Sequence, residues 1–151
     1  MEITAYTLAE RFVGLKEAKG PTSNAHVLAM LQLDENTWVK DDETAWCSAF
    51  VNYVCWLLRL PRSKKLSARS WLSVGMAIEL ANAVPGFDVV VLKRGTGGQP
   101  GPEVLEKAPG HVGFFSGLQQ EHVWLLAGNQ GDQVSVAPFD VKRVLGVRRL
   151  L

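Results

Sequence analysis

The sequence predicts an α+β domain in which helices come first and an antiparallel sheet second. Three observations carry this. Up to about Val74 the apolar residues recur at helical spacing. From Pro85 onward they fall in short β-branched or alternating runs of strand length. The connections between those later runs are too short for crossover helices, so neighbouring strands must be antiparallel. The 151 residues fit a single domain, 1–151, large enough to bury roughly two-thirds of its unfolded surface.

Residues Tyr6–Lys19 place Leu8, Phe12 and Leu15, with Ala5 and Ala9, along one helical face, and Gly20-Pro21 stops the helix. Ser23-Asn24 is a cap for a second helix carrying His26, Val27, Met30 and Leu31. Asp34–Glu43 is polar and reads as a loop. Thr44 is the expected N-cap of a third helix bearing Trp46, Ala49, Phe50, Tyr53, Val54, Leu57 and Leu58. Those positions span more than one stripe, so this helix is expected to be buried on most sides. Pro61 ends it, and a short helix through Ala68–Val74 precedes Gly75. About five strands follow: Asp88–Lys93, His111–Phe115, His122–Ala127, Gln133–Ala137 and Val144–Val147, with a Gly/Pro-rich loop over Gly95–Gly110 and a turn within Ser116–Glu121.

Net charge is +1, so no basic field for nucleic acid is implied, although Arg143, Arg148 and Arg149 make the C-terminus locally positive. Met1-Glu2-Ile3-Thr4 lacks the start of a signal peptide, and no run approaches the ~20 apolar residues of a membrane span. Synthesis in the cytoplasm is expected, with any action elsewhere depending on release or delivery. On one helix, Cys47 and Cys55 would lie ~12 Å apart, beyond the ~7 Å limit for a disulfide. Cys55, between Val54 and Trp56, reads as a core residue.

The chemistry concentrates around Cys47. It stands where an apolar helix begins, and there the unpaired N–H groups and aligned peptide dipoles favour a thiolate. Asp41, Asp42 and Glu43 just upstream would oppose this, so a histidine must supply the compensating charge. His111 opens a later strand between Gly110 and Gly113, and Leu125–Gln130 ends the next one in polar amides. Cysteine on a helix, histidine on one strand and an orienting residue near the next is the papain-type arrangement for acyl transfer. Among the candidates to orient His111, Asn129 is favoured, Gln130 second and His122 third. If the two strands pair about the turn, His122 lies opposite Phe115, more than roughly 10 Å from His111, whereas Asn129 shares its end of the hairpin. Trp46 and Trp71 are candidates for lining a substrate groove, and Arg69 for contacting substrate carboxylates or forming an ion pair. Cys47, His111 and His122 fit no zinc spacing, so no metal and no cofactor is expected.

The residues now in view resemble the CHAP and NlpC-like superfamily of papain-fold cysteine amidases and peptidases. The likeness is to a single-domain bacterial and phage lysin-like branch, through the blocks Trp46–Asn52, Ala68–Leu72 with Gly75, Pro85–Val91, Gly110–Phe114, Gly128–Gln130 and Gly146–Arg149. Phe87 interrupts the branch's Pro-Gly-Asp, and Ala127 replaces a glycine. The resemblance implies a peptidoglycan hydrolase, a phage endolysin or an interbacterial toxin, that cleaves a stem-peptide or sugar–peptide amide with Cys47, His111 and Asn129, with Gln130 beside the substrate. Peptidoglycan would be its partner, it would act as a monomer without nucleic acid or membrane, and a toxin would add an immunity protein or secretion machinery. The alternatives are an amidase or deamidase acting on a protein or small amide inside a cell, and a catalytically silent domain that binds wall or a partner.

Overall fold

A computed structural model describes residues 1–18, 23–34, 36, 45–95, 97–105 and 108–151. Three α-helices are described, α1 (Ala5–Glu10), α2 (Ala25–Leu31) and α3 (Cys47–Leu57), followed by a 3-10 helix over Ala68–Ser73. The strands are β1 (Met76–Ile78), β2 (Asp88–Lys93), β3 (Gly110–Gln119), β4 (His122–Ala127), β5 (Ser135–Asp140) and β6 (Val144–Arg149). They form one sheet in the order β1-β6-β2-β3-β4-β5, with every neighbouring pair antiparallel. The α+β architecture is the expected one, with six strands where about five were expected. None of the described helices is long and apolar enough to cross a membrane.

The first helix is shorter than its periodicity suggests. Thr4 and Thr7 cap its start reciprocally, each side chain bonded to the other's backbone N–H. After Glu10 the chain tightens, and Gly14 turns at φ 95 so that residues 14–17 can pair with 132–134. Phe12 and Leu15 still pack on the core, which is why their spacing looks helical beyond the helix. Asn24 caps α2 by accepting from the His26 and Val27 N–H groups. The expected cap at Thr44, the acidic residues Asp41, Asp42 and Glu43, and the expected stop at Gly20-Pro21 lie outside the described residues. The N-cap position of α3 is Trp46, which makes no side-chain capping bond.

The sheet has a core on each face. Val89, Val91, Val112, Phe114 and Leu126 pack with the helices. Val90, Leu92, Phe115, Leu125 and Val147 face the other way, against residues that include Ile78, Leu80, Phe139 and Val144. A strand buried on both faces reads as a continuous apolar run, as β2 does. The β3–β4 hairpin is tighter than expected: His122 pairs with Gln119 and Phe115 with Leu125, and Gln120, at φ 55, sits in the turn between the strands. His122 is exposed at the end of the hairpin remote from His111.

Candidate active site

Helix α3 is anchored by polar residues on its buried side. Ser48 Oγ donates to the Lys65 carbonyl at 2.6 Å and accepts from Trp71 Nε1 at 2.9 Å. Asn52 accepts from the Lys64 N–H at 3.0 Å and donates to the Lys65 carbonyl at 3.2 Å. These bonds hold the helix against the 63–71 segment and fix where its first residue points. That residue is Cys47, 3% exposed. At its other flank, Trp46 packs so closely on Gly128 that a Cβ there would lie 2.6 Å from the indole ring. The glycine therefore lets the turn after β4 approach the start of α3.

His111 is the second residue of β3, opposite Leu92 of β2. Its imidazole and the Cys47 thiol act on each other's ionisation. Burial alone would push that thiol up. The His111 hydrogen bond and charge, with the backbone N–H groups of Val112 and Ser48, outweigh burial and hold it below its ordinary value. For His111, burial opposes the charged form, and Arg94 opposes it too. The Cys47 hydrogen bond and charge and the Gln130 hydrogen bond prevail, so its pKa is raised. Both shifts favour the thiolate–imidazolium pair. At Cys55 burial prevails over the nearby charge of Arg62 and pushes the thiol up to about 12.

The residue that orients His111 is Gln130, whose Oε1 lies 2.9 Å from His111 Nε2. The expectation that Asn129 would do so is corrected by one position. Asn129 adopts a left-handed φ of 60, a conformation asparagine tolerates, and Gly131 another at 63. That tight turn delivers the next side chain to the imidazole and leaves Asn129 on the wall of the adjoining cavity. Gln130 is itself fixed: its Nε2 donates to the carbonyls of Ser135 at 2.8 Å and Leu125 at 3.3 Å. Because those partners only accept, the amide nitrogen must face them and the oxygen must face His111. His111 Nε2 therefore carries hydrogen, and the neutral ring has Nδ1 free to take the cysteine proton.

Three other expectations change. Trp46 and Trp71 are fully buried and line no groove. Arg69, 0% exposed, offers no surface to a substrate and pairs with no carboxylate among the described residues. It donates to the carbonyls of Pro109, Gly101, Val104 and Pro100 at 2.7–3.1 Å, and so holds the loop before β3. Two recesses flank the reactive pair. One, of about 350 Å3, is lined on the Cys47 side by Leu66, Ser67, Ala68, Ala108, Pro109 and Gly110. The other, of about 430 Å3, is lined on the His111 side by Asn129, Gln130, Phe139 and Arg143, among others. Arg94 borders both.

Sequence reasoning missed Arg94, Ser135 and Phe139. Phe139 packs beside the His111 ring at 5.3 Å between centroids. The signal for Arg94 was the β2–β3 register, which sets Leu92 opposite His111 and leaves Arg94 just beyond the strand end. Among the described residues, no three His, Cys, Asp or Glu side chains are grouped to hold a metal ion.

No family model and no curated protein sequence matches this chain. Among solved structures, NlpC1 from Trichomonas vaginalis is similar, with a TM-score of 0.56 at 16% identity over 97% of this chain. The chain spans 42% of the length of that protein. At this identity the likeness concerns the backbone, and it agrees with the layout of helices and sheet described above. The chain has an NlpC-like fold.

Proposed function

We propose that the protein is a cysteine hydrolase of amide bonds, with peptidoglycan as its substrate and Cys47, His111 and Gln130 as its catalytic unit. The observation that carries the chemistry is the continuous chain from buried thiol to imidazole to a side-chain amide locked by backbone carbonyls. Cys47 sulfur attacks the amide carbonyl, and the tetrahedral oxygen gathers charge beside the start of α3, where backbone N–H groups have no helical acceptor. His111 gives its proton to the nitrogen, the C–N bond breaks, and the amine leaves. Water then adds to the thioester, giving a proton to His111, and the acid departs as the thiol re-forms.

The choice of peptidoglycan rests on the sequence blocks around these residues and on the fold. On this reading the protein acts on the cell wall after release or delivery from the cytoplasm. The test is mass spectrometry of purified peptidoglycan digested by the wild type and by Cys47→Ala. New amine and carboxyl termini produced by the wild type alone support the proposal and name the bond. An unchanged digest from a protein whose Cys47 is demonstrably reactive would remove peptidoglycan and leave another amide as substrate.

A further inference from the structure

Any amide hydrolysed by this unit has its acyl part on sulfur and its departing amine beside the imidazole that protonates it. The leaving group therefore falls on the His111 side, in the recess of about 430 Å3. That wall is cationic. Arg94 and Arg143 both line it, and among the described residues no carboxylate does. Arg143 is held in place: its Nε donates to the Lys93 carbonyl at 3.2 Å, next to Arg94 in the chain, and its guanidinium lies 5.1 Å from the centre of the Phe139 ring. Its remaining N–H groups make no hydrogen bond among the described residues. Arg94 is exposed and has neither hydrogen bond nor ion pair among them. The neighbouring C-terminal arginines are committed differently, Arg148 to the carbonyls of Val74 and Gly75 and Arg149 to Asp88.

Two arginines with no counter-ion among the described residues, beside a histidine that must become cationic, form a costly arrangement, and Arg94 does work against the imidazolium. A bound anion removes that cost. We propose that this recess is an anion-binding subsite for the leaving group, so that the amine released by the enzyme carries a carboxylate gripped by Arg94 and Arg143, with its apolar part against Phe139. A guanidinium presents paired donors that match a carboxylate. The substrate then supplies the negative charge that the site lacks, and neutralises Arg94 at the moment His111 must hold its proton.

This inference deepens the proposed amide hydrolysis and rests on it, so two measurements separate their failures. The first compares stem-peptide substrates that differ only in whether the leaving amino acid bears a free carboxylate or a carboxamide. The wild type should favour the carboxylate by about tenfold in kcat/KM, and Arg94→Ala and Arg143→Ala should each bring that ratio toward unity. The second needs no turnover: the rate of Cys47 alkylation by iodoacetate relative to iodoacetamide. Arg94→Ala should lower this ratio several-fold, while Arg59→Ala, on a remote turn, should leave it alone. Equal wild-type rates on the two substrates, or an unchanged alkylation ratio in Arg94→Ala, overturns the subsite. A lowered ratio in a protein that cleaves no wall peptide supports the subsite and refutes the peptidoglycan assignment instead.

Discussion

Gln130 Oε1 meets His111 Nε2 at 2.9 Å, and this contact fixes which end of the imidazole is left for Cys47. The glutamine cannot rotate its amide without setting its oxygen against the Leu125 and Ser135 carbonyls. The proton position on the histidine is therefore set by backbone atoms two bonds removed from the chemistry.

Gln130→Ala should lower kcat/KM by about 10–1000-fold, because a misoriented base raises the barrier without removing either reacting group. Asn129→Ala should be much milder, since its side chain borders the recess and does not hold the ring. Steady-state kinetics on soluble muropeptides decide this. A crippled Asn129→Ala beside an unaffected Gln130→Ala would place the orienting role back on the asparagine.

Cys47→Ala and His111→Ala should each abolish turnover, because the two act as one unit and neither works alone. Cys55→Ala should keep activity and lose about 1 kcal/mol of stability through a small cavity. Chemical denaturation and rate assays on the three proteins separate these effects. Wild-type turnover by Cys47→Ala would end the nucleophile assignment.

The pH dependence follows from the direction of the two shifts. Cys47 is held below an ordinary thiol and His111 above an ordinary imidazole, and both directions widen the pH range over which thiolate and imidazolium coexist. Activity should fall on the acid side as the thiolate takes a proton and on the alkaline side as the imidazolium loses one. Iodoacetamide should label Cys47 at pH values where Cys55, with its pKa pushed up to about 12, stays silent. In His111→Ala burial is left without its main opponent, so the onset of labelling should move to higher pH, beyond that of a free cysteine. An onset unmoved by that substitution would show that His111 does not set the thiol's ionisation.

Arg69→Ala should be among the most destabilising single changes, costing about 3–5 kcal/mol, because four carbonyls lose their buried donor and a large side chain leaves a void. Thermal unfolding and limited proteolysis test it, with cleavage expected to concentrate in the 97–105 loop. Wild-type stability with impaired substrate affinity would instead restore Arg69 to the groove.

Strand β2 was legible because burial on both faces writes itself as an unbroken β-branched run. β1 was not: Met76-Ala77-Ile78 is only three residues, largely exposed, and its pairing comes from β6 at the far end of the chain. The helix start at Cys47 showed in the sequence, and so did the strand that carries His111. The Gln130 partner of His111 did not, because two left-handed residues decide which amide a turn presents, and no periodicity records them. Arg69 was misread for a related reason: its acceptors are main-chain carbonyls, which have no side-chain signature.

The close seating of Trp46 on Gly128 ties the start of α3 to a turn that is made much later in translation. Until that turn and β3 are in place, Cys47 has neither its imidazole nor the setting that holds it. An unfinished or proteolytically shortened chain would thus carry an ordinary thiol, and Cys47 would gain its special setting only when the fold is complete.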